Sequence, residues 1–185
     1  YAEFARGGTY AEYVAVDASQ VALKPRTVPF AAAAALPTPG QAAWMALMDT
    51  ANIERGMRVL IHGGAGALGS VAVQLAKAQG LHVIATASGA GVDLVKSLGA
   101  DEVIDYRQQR FQDAVLKRVD VVLDTLGGLT QEASWATLKP GGILVATVEP
   151  PSPERAASAG VRAAFVFTPP RGAVLAQLAQ RVDAG

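Results

Sequence analysis

The sequence has no cysteine, and this absence removes several kinds of chemistry at once. Disulfide bonds, zinc sites with thiolate ligands, iron–sulfur clusters and cysteine nucleophiles all need a thiol that this chain does not have. Charge is also scarce, because only 17% of the residues are charged and the 16 basic residues balance the 16 acidic ones. Proteins that bind nucleic acid or a membrane surface are expected to carry a positive excess, so the sequence predicts neither partner.

Long apolar runs are missing as well. The longest candidate, Phe30–Leu36, is rich in alanine and ends at Pro37, whereas a membrane-spanning helix needs ~20 residues. The opening residues have neither the basic segment nor the apolar segment of a signal peptide, which predicts a cytoplasmic location. The chain begins with Tyr1 rather than Met and ends shortly after an amphipathic stretch, so we interpret it as a piece of a longer protein.

Hydrophobic residues, by contrast, make up 51% of the chain and follow a regular rhythm from Arg58 onward. Short apolar segments that predict strands alternate with segments that predict helices, which is typical of βαβ units in a parallel sheet covered on both faces. The predicted fold class is therefore α/β with a doubly wound parallel sheet. The predicted strands are Arg58–His62, Leu81–Thr86, Glu102–Asp105, Val119–Leu123, Ile143–Val148 and Val161–Phe167. A separate strand is predicted upstream, over Thr9–Val16.

A glycine-rich turn follows the first of these strands and provides the strongest functional signal. Its sequence is Gly64-Ala65-Gly66-Ala67-Leu68-Gly69, a G-x-G-x-x-G pattern between a predicted strand and a predicted helix. In this context Gly64 permits the tight turn, Gly66 lets a diphosphate approach the backbone, and Gly69 lets the helix pack against the strand. The helix N-terminus adds free N–H groups and a positive dipole end. The alternative is an ordinary strand–helix turn in a chain rich in alanine and glycine.

The end of the second predicted strand bears on which dinucleotide is bound. Folds that prefer NAD carry an acidic residue there, ~20 residues after the glycine pattern, to hold the adenine ribose 2′-OH. This chain instead has Thr86-Ala87-Ser88-Gly89-Ala90, and Ser88 could donate a hydrogen bond to a 2′-phosphate. The pattern therefore favours NADP. The alternative is that Ser88 only begins a loop.

The other polar and aromatic candidates are predicted to have structural roles. His62 and His82 lie in or beside core strands, with no further His, Cys or acid at metal-ligand spacing, so no metal site is predicted. Asp124, at the carboxyl end of a strand, could accept from nearby backbone N–H groups or face a cofactor, and we favour the first role. Trp44 and Trp135 are predicted to pack in the core. The pattern assigns no catalytic residue.

Two other nucleotide-dependent families share parts of this pattern. The segment LKPGGILV is similar to a stretch of S-adenosylmethionine-dependent methyltransferases, but those proteins need an acid at the end of the second strand. Short-chain dehydrogenases need G-x-x-x-G-x-G and Tyr-x-x-x-Lys, whereas this chain has Ala67 and follows Tyr106 with Arg110. A methyltransferase is therefore kept as the less favoured alternative.

A family resemblance extends over nearly the whole chain. The segments VLIHGGAGALGSVAVQLAKAQG, VIATAS, SLGADEVIDYR, DVVLDTLGG and LKPGGILV, with GGTYAEYVAV upstream, resemble the zinc-independent quinone-oxidoreductase branch of the medium-chain dehydrogenase/reductase superfamily. The resemblance implies a GroES-like substrate domain, of which residues 1–28 are a remnant, and a Rossmann dinucleotide-binding domain over residues 29–185. It also implies hydride transfer from NADPH to a quinone or an α,β-unsaturated carbonyl compound, without zinc.

The same resemblance implies roles for individual residues. Ala65–Leu68 would line the diphosphate, and Ser88 and Tyr106 would lie at the 2′-phosphate. The nicotinamide side would be formed by Leu126, Val148 and Phe167. The edge strand Val161–Thr168 would pair two subunits into a homodimer. The full cofactor-binding set is Gly64, Ala65, Gly66, Ala67, Leu68, Gly69, Ser88, Tyr106, Leu126, Val148 and Phe167.

This chain departs from the family pattern at two places. Gly89 and Ala90 stand where many relatives have a basic residue for the 2′-phosphate, so NADP binding would need Lys96 or Arg107, and NAD is the alternative cofactor. Ala42 stands where relatives often have Thr near the nicotinamide. Most of the substrate domain has no counterpart in this sequence, which leaves a nucleotide-binding module without catalysis as a second class of function.

Overall fold

The structure, a computed structural model, describes residues 8, 10–115 and 118–185 of the chain. These residues form two compact units. The larger unit contains Ala43–Phe167, and the smaller unit contains the described residues up to Ala42 together with Thr168–Gly185. Within the described residues, no helix combines the length and the apolar character needed to cross a membrane.

The larger unit is built on an open sheet of six parallel strands in the order β3-β2-β1-β4-β5-β6. The chain first moves outward from β1 to β3 and then returns to place β4 against β1, where Val59 pairs with Val121. This is the Rossmann strand order, and it confirms the predicted doubly wound α/β fold. The strands are β1 (Arg58–Ile61), β2 (His82–Ala87), β3 (Glu102–Asp105), β4 (Val119–Asp124), β5 (Leu138–Ala146) and β6 (Arg162–Phe165).

Helices connect the successive strands. Because parallel crossovers are right-handed, the helices that follow β1 and β2 cover one face of the sheet, and those that follow β4 and β5 cover the other. The segment after α2 continues as a π-helical turn over Met45–Thr50, and a 3-10 turn over Trp135–Thr137 follows α6. The helices are α1 (Phe30–Ala34), α2 (Pro37–Trp44), α3 (Ala67–Ala78), α4 (Ala90–Ser97), α5 (Phe111–Ala114), α6 (Gly128–Ser134), α7 (Pro153–Ala159) and α8 (Gly172–Ala184).

Both faces of the sheet are buried, which explains why its strands are nearly continuous apolar runs. On one face, Leu60 and Ile84 are fully buried in a cluster that includes Trp135. Since successive strand residues point to opposite faces, the equally buried Val59 and Val83 belong to the other face. Burying each such side chain stabilises the fold by roughly 1.5–3 kcal/mol. The packed sheet is therefore a rigid base for the loops at its carboxyl edge.

In the smaller unit, α8 lies close to an irregular segment of the chain. A Cβ on Gly172 would overlap the carbonyl oxygen of Val21 and lie 2.7 Å from that of Ser19, so glycine permits this approach. The Asp183 carboxylate accepts hydrogen bonds from the backbone N–H groups of Arg26 and Thr27, at 2.7 and 3.0 Å. These contacts hold the segment beside α8.

The strand predicted over Thr9–Val16 is wrong for the residues that the structure describes. Residues 10–16 form bends and irregular chain, and Tyr10 and Tyr13 are exposed; Thr9 lies outside the described residues. Aromatic and β-branched residues favour a strand only where a neighbouring strand pairs with it, and no described strand does so here. The predicted domain boundary after residue 28 stays a prediction.

The sequence analysis did not predict helix α7, although the residues that favour a helix start and a helix end are present in the sequence. The Ser152 side chain caps its N-terminus by accepting a hydrogen bond from the Arg155 N–H at 3.2 Å, and Pro153 opens the first turn. Gly160 ends the helix in the left-handed conformation, with φ 66°. The helix connects β5 to β6, and β6 lies at the edge of the sheet.

Candidate functional site

The residues predicted to bind a cofactor all follow the carboxyl ends of strands. The glycine turn follows β1, and the remaining positions follow β2 to β6 in turn: Ser88, Tyr106, Leu126, Val148 and Phe167. Strand order reverses between β1 and β4, and the crevice at such a reversal is where open α/β sheets bind ligands. The structure therefore brings the predicted set to one edge of one unit.

The glycine turn is tight, but its left-handed residue is Gly63 rather than Gly64. Gly63 has φ 63°, and its carbonyl accepts a hydrogen bond from the Gly66 N–H at 2.9 Å. Gly64 is instead needed for close packing against β2, because a Cβ at this position would lie 2.9 Å from the Cβ of Ala85. The expectation that Gly64 permits the turn was thus wrong in its reason, since the spacing of glycines does not report backbone angles.

Gly66 and Gly69 differ in what a side chain would meet. A Cβ on Gly69 would overlap the Gly63 carbonyl oxygen and lie 2.9 Å from the Gly64 Cα, so this glycine lets α3 start directly against the turn. A Cβ on Gly66 would meet the Gly63 oxygen at 3.2 Å and otherwise face open space. Residues 65–67 are exposed. The space in front of Gly66 is therefore open to a ligand.

The N-terminus of α3 offers this space an uncompensated positive end. Its N-cap residue Gly66 has no side chain to accept from the first N–H groups, and its first turn contains no acidic residue. Free N–H groups and the helix dipole together favour an anion. The donor set and the glycine cradle fit a diphosphate.

Neighbouring strands hold the turn in place through residues that the motif does not include. Thr86 on β2 accepts from the Gly63 N–H with its Oγ1 at 3.1 Å and from the Gly64 N–H with its carbonyl at 2.9 Å. Thr125, after β4, donates its hydroxyl to the His62 carbonyl at 2.8 Å. These contacts brace the turn from both sides, and only the register of the sheet reveals them.

Gly91 is a further residue that sequence reasoning missed. A Cβ at this position would lie 2.9 Å from the Cβ of Ala65. The first turn of α4 therefore approaches the glycine turn closely. The one signal in the sequence is the position of this glycine three residues after Ser88.

Ser88 and Tyr106, predicted to share one role, lie together. The Ser88 hydroxyl donates a hydrogen bond to the Tyr106 hydroxyl at 2.7 Å, and both side chains are exposed enough to meet a ligand. Beside them is an open cleft of about 640 Å³ whose lining includes Lys96, Asp93 and Asp105. Lys96 lines this cleft together with two carboxylates, and the cleft also includes Gly89, the residue after Ser88.

The other end of the site is apolar. Leu126, Val148 and Phe167 are 52%, 57% and 78% exposed, although most residues of β4 and β5 are buried. They follow three adjacent strands, β4, β5 and β6. Together they form an apolar surface on the opposite side of the glycine turn from the polar pair.

Asp124 and His62 have the structural roles predicted for them. The fully buried Asp124 carboxylate accepts hydrogen bonds from the N–H groups of Leu126 and Gly127 and from the Gln131 amide, each at 3.0 Å. The His62 Nε2 lies 2.9 Å from the Ser134 hydroxyl. Burial lowers the pKa of His62 to about 4, which the charge of Asp124 only partly opposes. The ring is therefore neutral near pH 7.

The remaining candidates are settled by their surroundings. His82 Nε2 lies 2.8 Å from the Glu102 carboxylate at the amino end of the sheet, far from the glycine turn along the strand. Trp44 and Trp135 are both 8% exposed, which confirms that they pack. Within the part of the chain that the structure describes, no group of three or more His, Cys, Asp or Glu residues could hold a metal ion.

The chain is similar to known proteins in sequence and in structure. A family model described as zinc-binding dehydrogenase matches residues 67–161. The 2-methylene-furan-3-one reductase of Solanum lycopersicum is 42% identical over 149 residues, which are 78% of this chain and 37% of that protein. The chloroplastic NADPH-dependent alkenal/one oxidoreductase of Arabidopsis thaliana is 40% identical over 149 residues, which are 78% of this chain and 38% of that protein.

Among solved structures, the quinone oxidoreductase of Coxiella burnetii matches with a TM-score of 0.79 at 34% identity. That match covers 87% of this chain and 51% of the Coxiella chain. This chain therefore spans about half or less of the length of these relatives.

Proposed function

The chain belongs to the zinc-binding dehydrogenase family, and we propose that it supplies the dinucleotide-binding part of an oxidoreductase that passes a hydride from NADPH to a quinone or an α,β-unsaturated carbonyl compound. The observation that carries the proposal is the open glycine turn at the reversal of strand order. The names of the relatives support it, because they include an NADPH-dependent alkenal/one oxidoreductase and a quinone oxidoreductase.

Each part of the site has a task in this proposal. The backbone of Ala65–Leu68 and the N-terminus of α3 hold the diphosphate, and Gly66 leaves room for it. Leu126 and Val148 pack against the nicotinamide half and exclude water from it. When bound, the cofactor supplies the hydride, and the protein positions and shields it. The described residues offer no persuasive general acid, so the stabilisation of charge on the substrate oxygen is left to groups outside this set.

The preference for NADPH over NADH rests on the polar end of the site. Ser88 and Tyr106 present two hydroxyls where an acidic residue would repel a 2′-phosphate. Lys96 lies beside the same cleft and supplies the cation that Gly89 and Ala90 do not. NAD is the alternative cofactor, because Asp93 and Asp105 oppose a further negative charge in that cleft.

We propose further that the hydride transfer does not use zinc, which fits the lack of cysteine ligands in this chain. A homodimer would form through the edge strand predicted over Val161–Thr168. The observed strand β6 falls within this predicted range. It is at the edge of the sheet, and among the described strands only β5 pairs with it. A cytoplasmic location and a GroES-like remnant over residues 1–28 stay predictions, and the Arabidopsis relative is named as chloroplastic.

Titration of the chain with NADPH and with NADH, followed by quenching of tryptophan fluorescence, tests the proposal. We expect both to bind and NADPH to bind more tightly. The variant Gly66→Val should weaken NADPH binding by about tenfold or more, because its side chain occupies the space in which the diphosphate would accept charge-assisted hydrogen bonds from backbone N–H groups. The added Cβ meets only one neighbour, at 3.2 Å, so the thermal midpoint should change little. Unchanged affinity in this variant would contradict the diphosphate assignment.

Two further measurements separate the alternatives. Oxidation of NADPH in the presence of a quinone or an enone distinguishes a reductase from a nucleotide-binding module without catalysis. Binding of S-adenosylmethionine in place of NADPH would instead indicate the methyltransferase alternative.

A further inference from the structure

Two carboxylates stabilise the loop that follows β4, and they do so in different ways. Three consecutive backbone N–H groups in this loop donate to them: those of Leu126 and Gly127 to Asp124, and that of Gly128 to Glu149. Gly127 and Gly128 have positive φ values of 72° and 54°, which glycine adopts at little cost. The protein's own carboxylates accept the hydrogen bonds of these N–H groups.

Asp124 acts within its own loop, whereas Glu149 comes from the loop after β5. Glu149 lies 21 residues along the chain from Gly128, and its backbone carbonyl also accepts a hydrogen bond from the Gln131 side chain at 3.3 Å. A Cβ on Gly127 would lie 3.0 Å from the Glu149 carboxyl carbon, so the side chain packs directly on the glycine backbone. Glu149 thus links the two loops through both its side chain and its main chain.

These two loops carry two of the three apolar side chains on the nicotinamide side of the proposed site. Leu126 is two residues before the Gly128 amide, and Val148 immediately precedes Glu149. Both side chains are about half exposed. The Thr147 N–H, just before Val148, donates to the Asp124 carbonyl at 3.1 Å, and Glu149 adds a second link, to the Gly128 N–H.

We infer that Glu149 is a positioning residue that holds the loops of Leu126 and Val148 together for the nicotinamide half of the dinucleotide. This inference rests on the proposed function. Without the carboxylate, the contacts of Thr147 and Gln131 remain but the contact with the Gly128 N–H is lost. The two loops are then held less firmly, and binding must restore their order at a cost in affinity.

The adenine half of the site should not depend on Glu149. Ser88 follows β2 and Val148 follows β5, which are three strands apart in the sheet, or about 14 Å at the usual strand spacing. Ser88 is held by Tyr106 rather than by either of the linked loops. A ligand that contains only the adenosine and its 2′-phosphate therefore serves as an internal reference.

Calorimetric titration of the full chain with NADPH and with adenosine 2′,5′-bisphosphate tests the inference. In Glu149→Ala, we expect the dissociation constant for NADPH to rise about fivefold to tenfold and that for the bisphosphate to change less than about twofold. Glu149→Gln keeps an oxygen acceptor for the Gly128 N–H, so it should restore most of the lost affinity. Glu154→Ala is the matched control, because this exposed glutamate bonds to Ser152 beside α7.

The possible outcomes distinguish a failure of the Glu149 inference from a failure of the proposed function. If the wild-type chain binds neither ligand, the proposed function falls and the inference falls with it. If the wild-type chain binds both and Glu149→Ala weakens both equally, Glu149 acts on the fold as a whole and the inference is overturned. Unchanged NADPH affinity in Glu149→Ala overturns it as well, with the proposed function intact.

Discussion

Acidification should destabilise the larger unit through His62, because this imidazole is buried and neutral. Burial lowers the pKa of His62 to about 4, and the nearby Asp124 charge only partly opposes this. In the unfolded chain the ring has its ordinary pKa of 6.5. Between these two values the unfolded state binds a proton that the folded state does not, so stability rises with pH and is lost as the pH falls.

The gap between 6.5 and about 4 sets the size of the effect. Since one pKa unit corresponds to about 1.4 kcal/mol, His62 alone lowers the free energy of unfolding by about 2 kcal/mol at pH 5 and about 3 kcal/mol at pH 4. Domains are typically stable by only ~5–15 kcal/mol. The loss should therefore be easy to measure, and it should be absent between pH 7 and pH 8.

Urea unfolding followed by tryptophan fluorescence measures this loss, because both tryptophans lie in the same unit as His62. Other groups titrate in the same range. The hydrogen bond from His82 and the charge of Arg118 lower the pKa of the Glu102 carboxyl, so its contribution to stability also declines as the pH falls. A comparison with His62→Gln, which removes the titrating ring but keeps an amide at that position, isolates the histidine.

The stability advantage of the wild type over His62→Gln should shrink by about 3 kcal/mol between pH 7 and pH 4. An advantage that stays constant within about 0.5 kcal/mol over this range would refute the reasoning that burial holds the ring neutral.

Two substitutions test the supports of the site. Gly69→Ala should lower the free energy of unfolding by about 3 kcal/mol, because its Cβ overlaps the Gly63 carbonyl. Gly66→Ala, whose Cβ meets the same oxygen only at 3.2 Å, is the control in urea unfolding, and equal losses would contradict the distinction. Asp124→Asn should also cost about 3 kcal/mol in the same assay, since the amide cannot accept from all three buried donors. A loss below about 1 kcal/mol would show that the loop does not depend on the carboxylate.

The alternation of apolar segments and helices was sufficient to predict the existence of all six strands of the sheet, although β5 begins at Leu138, five residues before the predicted start at Ile143. This succeeded because parallel strands buried on both faces have a simple composition. The strand predicted over Thr9–Val16 was wrong in its described part, because local composition cannot supply a neighbouring strand. The glycine pattern located the candidate site in the same way, through one short local signal.

The rest of the site depends on contacts between residues distant in sequence. Thr86, Gly91, Thr125 and Glu149 gain their roles only when the register places one loop against another. The sequence predicted that Gly64 permits the tight turn, whereas the left-handed residue is Gly63 and Gly64 is needed for space. Residue identity alone does not distinguish a glycine needed for its backbone angle from one needed for space.

Because the strand order reverses, the sheet consists of two halves, each formed by one continuous segment of the chain. The two halves meet at a single pair of strands, β1 and β4, which we call the seam. Residues 58–105 form one half and residues 119–165 the other, and the ladder between β1 and β4 is where the two halves of the sheet join. The glycine turn belongs to one half, and the loop of Leu126 belongs to the other. A ligand that spans both therefore ties the halves together, and its binding free energy adds to the cohesion of the seam in proportion to the logarithm of its concentration.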